Sequence, residues 1–199
     1  MKQGLIALAL ILVAGSVAGA QEVEPVPIPN PGIDMDGHLV AITAAAELRE
    51  SRRLTANEFI RMSREPGTIV LDARSRDKFD ELHVEGAINL PFPDITVASL
   101  AEILPDKATR ILIYCNNNFE NAEGPFPTKI ARASLNLSTY VTLYEYGYLN
   151  VFELGPLLDI HTTRIPFAGS SAASISRSGN GERSGADIDP APITLVESK

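Results

Sequence analysis

The 199-residue chain has one cysteine, Cys115, no tryptophan and three histidines. A single cysteine excludes an internal disulfide, so no staple of that kind supports the fold. His38, His83 and His161 are too scattered to form a metal-ligand spacing, and neither a metal nor a cofactor is expected. Basic residues are also few. Against 25 Asp and Glu stand 17 Lys and Arg, a formal charge of −8. That balance disfavours nucleic acid or an anionic membrane as partner, because both select clustered Lys and Arg.

Long apolar runs are absent except at the start. Residues 5–14 are apolar, Lys2 precedes them, and Ala18-Gly19-Ala20 follows. This order reads as a signal peptide over residues 1–20, with Gln21 as the mature start. The run is short for a bilayer span, so export to the periplasm or the outside is expected, with no membrane attachment after cleavage. Pro25, Pro27, Pro29 and Pro31 make residues 21–37 an extended linker. Residues 168–199 are rich in Ser, Gly, Ala and Pro and read as a disordered tail. Between them, residues 38–167 have the size of one small domain, and a hydrophobic content of 45% suffices for its core. No internal repeat is visible.

Within that span, residues 39–52 are Ala-rich and predict a helix. Thr55 and Glu58 form a capping box for a second, with Leu54 and Phe59 placed to act as a hydrophobic staple. Residues 68–73 and 110–114 are apolar runs without alternation, as expected of strands buried on both faces. Residues 76–81 predict a short helix, 87–90 a brief strand, and 97–104 an amphipathic helix ending at Pro105. Residues 140–146 predict a last helix, stopped by Gly147, and 150–153 a last strand. Strands alternating with helices imply an α/β fold with a mostly parallel sheet covered on both faces. Ligands of such sheets sit outside the carboxyl ends of the strands, where Cys115 stands.

Several pieces, in order, resemble the rhodanese-like domain family. They are Leu71-Asp72-Ala73-Arg74-Ser75, Phe79, His83, Gly86-Ala87-Ile88-Asn89-Leu90-Pro91, Ile111-Leu112-Ile113-Tyr114-Cys115, and the stretch from Gly147 to Gly155. The match covers residues 53–158. The resemblance implies a three-layer rhodanese-like fold and a sulfurtransferase in which Cys115 carries a persulfide. Its partners would be a small sulfur-containing anion and a thiol acceptor, or a protein. A thiolate before a polar loop and a helix N-terminus would have its charge held by backbone N–H groups. A buried core cysteine is the competing reading. Asn116, Asn117, Asn118 and Phe119, directly after Cys115, are the expected substrate-binding loop.

The loop departs from the family pattern. An arginine commonly stands five positions after the cysteine, and here that residue is Glu120. Phosphatase relatives place it six positions on, at what is Asn121 here, so tyrosine-phosphatase chemistry is not expected. The first cations in the loop are Lys129 and Arg132, which become candidate anion-binding groups. The interval to Gly147 is long, which makes residues 116–137 an enlarged loop that could admit another sulfur donor or a partner. Two arrangements compete there: a helix capped at Asn136 or Ser138, or a continuous helix from Thr128. Asp72 and Arg74 read as a structural ion pair and His83 as a hydrogen-bonded positioning residue. A catalytically weak module binding a partner or anion through the loop is the rival to an enzyme.

Overall fold

A computed structural model describes residues 30–178. The proposed signal peptide, most of the linker and the final part of the tail lie outside these residues. Residues 30–34 belong to a unit of their own, with a turn in which Asn30 Oδ1 accepts the Gly32 N–H at 2.9 Å.

From residue 35 onward the elements follow in this order. Helix α1 is Met35–Glu50, strand β1 Arg53–Leu54, α2 Ala56–Ser63, β2 Thr68–Asp72, α3 Arg76–Glu81, β3 His83–Val84 and β4 Ile88–Asn89. Then come α4 Val97–Ile103, β5 Arg110–Tyr114, β6 Phe119–Glu120, α5 Leu135–Glu145, β7 Val151–Leu154, β8 Leu158–Asp159, β9 Phe167–Ala168 and α6 Ala172–Ser178. The five-stranded sheet has the order β1-β7-β5-β2-β4, and all its pairings are parallel. Among the described residues no helix is long and apolar enough to cross a membrane.

Alternation along the strands separates two cores. Val70, Leu112, Tyr114 and Leu154 pack with Phe59 and Met62 of α2 on one face. Leu71, Ile111, Ile113 and Val151 pack on the other with Ala45 of α1, Leu100 of α4, and Tyr140 and Leu143 of α5. Side chains on a strand point alternately to opposite faces, so Cys115 follows Ile111 and Ile113 onto the α5 face. This is the fold class expected from the sequence.

Local grammar explains several boundaries. Thr55 Oγ1 accepts the Glu58 N–H at 3.3 Å and Glu58 Oε2 accepts the Thr55 N–H at 2.9 Å, closing the capping box of α2. A second box, Thr96 with Ser99, opens α4.

Three expectations need correction. Helix α1 begins at Met35, inside the span assigned to the linker, and ends at Glu50. The ordered fold also passes residue 168, where the tail is expected to start. Ala168 pairs with His83 across β9 and β3, Ser170 and Ser171 donate to the carbonyls of Asp80 and Glu81, and Ile175 of α6 packs on the α2-side core. A composition of small residues hid this segment, because its anchoring is by backbone pairing rather than by a periodic apolar face. Helix α5 starts at Leu135, so neither a helix from Thr128 nor a cap at Asn136 or Ser138 is present.

Candidate active site

Strand β5 delivers Cys115 to the carboxyl edge of the sheet in extended conformation, and a single 3-10 turn, Asn116–Asn118, follows it. The Cys115 Sγ lies 3.3 Å from the Ser134 hydroxyl. Ser134 occupies the cap position of the 11-residue α5, yet its side chain caps no backbone N–H of that helix. The sulfur therefore sits at the N-terminal end of α5, where the helix dipole favours negative charge. Sequence reading missed Ser134. Nothing in the spacing between it and Cys115 marks the pair, because the enlarged loop separates them.

Cys115 is 1% exposed. The loop that follows it is tied down at several points. Asn117 Nδ2 donates to the Lys129 carbonyl at 2.7 Å, and its Oδ1 accepts the Lys129 N–H at 3.1 Å. Strand β6 pairs in parallel with β8. Arg74 Nη1 donates to the Pro125 carbonyl at 2.9 Å. The same guanidinium lies 4.0 Å over the Phe126 ring.

The residues expected to bind substrate divide into groups. Asn118 is buried and its side chain is spent on structure: Oδ1 accepts the Cys115 N–H and Asn136 Nδ2, while Nδ2 donates to the carbonyls of Leu154 and Pro156. Phe119 is a core side chain packed against Tyr114, Phe126 and Phe167. Both side chains are committed to the interior in this structure. Asn116 is buried, Asn117 is the half-buried clasp, and Lys129 and Arg132 are exposed.

Asp72 and Arg74 form a fully buried ion pair at 2.6 Å. Arg74 also donates to the Leu82 carbonyl at 2.7 Å, and the Tyr114 hydroxyl donates to Asp72. Burial works against the charge on Arg74, but its bonds to Asp72 outweigh this and its pKa is raised. Burial, with the Asp72 charge beside it, pushes Tyr114 well above the usual phenol range. His83 Nδ1 is 2.7 Å from the Phe79 carbonyl and its ring stacks on Phe79 at 3.8 Å. This network ties the carboxyl end of β2 to the loop that follows Cys115.

On the α5 face, the buried Glu153 of β7 pairs with Arg49 and Arg53. Thr139 Oγ1, Tyr140 Oη and Asn136 Oδ1 are buried without a hydrogen-bond partner.

The chain matches the family model described as Rhodanese-like domain over residues 55–153. Thiosulfate sulfurtransferase PspE of Escherichia coli (strain K12) is 26% identical over 95 residues, 48% of this chain and 76% of that protein. Among solved structures, a rhodanese with anions from E. coli is 26% identical, covering 52% of this chain and 99% of that one, with a TM-score of 0.36. The BH2092 protein from Bacillus halodurans is 20% identical, covering 69% and 90%, with a TM-score of 0.44.

Proposed function

Because the chain belongs to the rhodanese-like domain family, of sulfurtransferase type, we propose that it transfers sulfane sulfur through a persulfide on Cys115. The observation that carries this reading is the single thiol at the end of β5, 3.3 Å from Ser134 at the head of α5. In the first step the Cys115 thiolate attacks the outer sulfur of the donor. A new S–S bond forms, the donor's own S–S bond breaks, and the leaving group departs with that electron pair. In the second step an acceptor thiolate attacks the outer sulfur of the persulfide, and the Cys115 thiolate is restored.

The helix dipole and the Ser134 hydroxyl favour the anionic sulfur in both steps. Lys129 and Arg132 are the cations of the loop that can offset charge once it moves. Phosphoryl transfer is not part of this reading, because no cation stands between Cys115 and Lys129. Export belongs to the same reading and rests on residues 1–20; a mature chain beginning at Gln21 in amino-terminal sequencing supports it, and an intact Met1 refutes it.

Burial of Cys115 favours a second reading, a rhodanese-like module of weak catalytic power that binds a partner or anion through its loop. Intact-mass analysis after exposure to sulfane-sulfur donors separates the two. One added sulfur atom on wild type, absent in Cys115→Ser, supports the enzyme. A thiol that takes no sulfur from any donor leaves the module.

A further inference from the structure

At the β1 side of the sheet lies a cleft of about 680 Å³ that the transfer chemistry leaves unused. One wall runs from Arg53 to Asn57 and the other comprises Gly155 to Asp159 with Thr162 to Arg164. Strands β1 and β7 run parallel to β5, so residues that follow them emerge at the same sheet edge as Cys115. The strand order β1-β7-β5 puts the β1 side two spacings from the thiol, roughly 10 Å. The two places are joined through Asn118, whose amide holds the Pro156 carbonyl at 3.2 Å on the cleft wall.

The charge of the cleft runs against that of the chain. Arg53 and Arg164 line it, with Asp159 as the acidic residue among its lining. The Asp159 carboxylate accepts the His161 N–H at 2.7 Å within its own loop and Asn121 Nδ2, from the segment after β6, at 2.9 Å. Arg164 is exposed and spends one donor on Asn57 Oδ1 across the cleft, at 2.7 Å. Arg53 is about half exposed and touches Glu153 and the Gly155 carbonyl through Nε and Nη2, at 3.2 and 3.4 Å. Both guanidiniums thus keep N–H groups for an oxoanion, which their planar fork fits. The volume exceeds that of a lone inorganic ion and suits an organic body.

We propose that this cleft holds the carboxylate-bearing tail of the thiol acceptor, whose sulfur reaches Cys115 from roughly two strand spacings away. The acceptor class is then an organic mercaptocarboxylate of about peptide size. This inference rests on the sulfurtransferase reading, and its two arms are chosen to fail separately from it.

The first arm needs no reactive sulfur. Octanedioate, a dicarboxylate without a thiol, is titrated into Cys115→Ser and followed by amide NMR. Saturable shifts in residues 155–164 that vanish in the added Arg164→Gln variant support the proposal. No saturable shift, or the same affinity with Arg164→Gln, overturns it. The second arm uses persulfide-loaded wild type with 8-mercaptooctanoate and 8-mercapto-1-octanol. The acid is expected to show at least a tenfold higher kcat/KM, with the preference falling towards one in Arg164→Gln; equal values in wild type overturn the proposal. If wild type never takes up sulfur, the sulfurtransferase reading falls and with it the acceptor role, whereas the first arm still reads the cleft.

Discussion

The side-chain oxygen of Asn118 accepts the backbone N–H of Cys115 at 2.9 Å. A residue that reads as part of a polar substrate loop is in fact the bolt of the site. Its amide nitrogen reaches the carbonyls of Leu154 and Pro156, so one side chain joins the end of β5 to the end of β7. Asn118→Ala would leave buried polar groups on both strands without partners. The expected cost is about 2–3 kcal/mol in urea denaturation, since each orphaned group costs about 1–3 kcal/mol and some will find water. A loss below about 0.5 kcal/mol would mean that solvent already serves these groups.

The carboxyl-terminal segment gives a second test. Gly169 has φ +118°, and a Cβ there would lie 2.7 Å from the Glu81 carbonyl oxygen. Gly169→Ala should therefore destabilise by about 1–3 kcal/mol through strain and displacement of backbone. Cutting the chain after Ala168 should cost a similar amount, because the bonds of Ser170 and Ser171 and the packing of Ile175 are lost. A chain cut after Ser178 is the comparator. Melting temperatures that do not differ between the two truncations would show that α6 adds nothing.

Some parts of the molecule are legible in its sequence and others are not. Strand β5 was legible because Ile111, Leu112 and Ile113 form an apolar, non-alternating run, and α2 because Thr55 and Glu58 are a local capping pair. Strands β3, β6, β8 and β9 are two residues each and exist only because distant backbone segments meet. No local pattern encodes them. The position of Cys115 was readable from the end of its strand, but its cover was not. Asn117 binds the main chain of Lys129, and main-chain acceptors have no sequence signature.

Tyr140 makes a pH prediction with a definite sign. Burial pushes its hydroxyl up to about 12; Arg52 and Arg49 oppose the rise and Glu153 adds to it. An unfolded tyrosine titrates near 10, so the folded chain holds this proton more tightly. The resulting stability is fully present below about pH 10 and is lost as pH rises towards 12. Tyr114 is raised in the same direction and steepens the fall. Tyr140→Phe should reduce the slope of denaturation free energy over that window. At pH 7 it should be neutral or stabilising by up to about 1 kcal/mol, because the hydroxyl it removes is buried without a partner. A clear destabilisation at pH 7 would reveal a bound water at Tyr140 Oη.

A thiol that is 1% exposed meets a reagent only when its surroundings open. Chemistry at Sγ requires the groups around it to move, and the tie expected to hold them is the pair of bonds between Asn117 and the Lys129 backbone. Each is worth about 0.5–1.5 kcal/mol net, so Asn117→Ala should shift the opening equilibrium by about tenfold or somewhat more. Alkylation of Cys115 by iodoacetamide, followed by intact mass under native conditions, reads that equilibrium when closing outpaces reaction. Wild type should react far more slowly than denatured protein, and Asn117→Ala about tenfold faster than wild type, with circular dichroism unchanged. Asn117→Asp should also accelerate the reaction, since a carboxylate keeps the bond from the Lys129 N–H but cannot donate to its carbonyl. Rates identical to wild type in both variants would acquit the clasp. The barrier would then lie deeper, at the Arg74 bond to Pro125 or in the Phe119 and Phe126 packing beneath the loop.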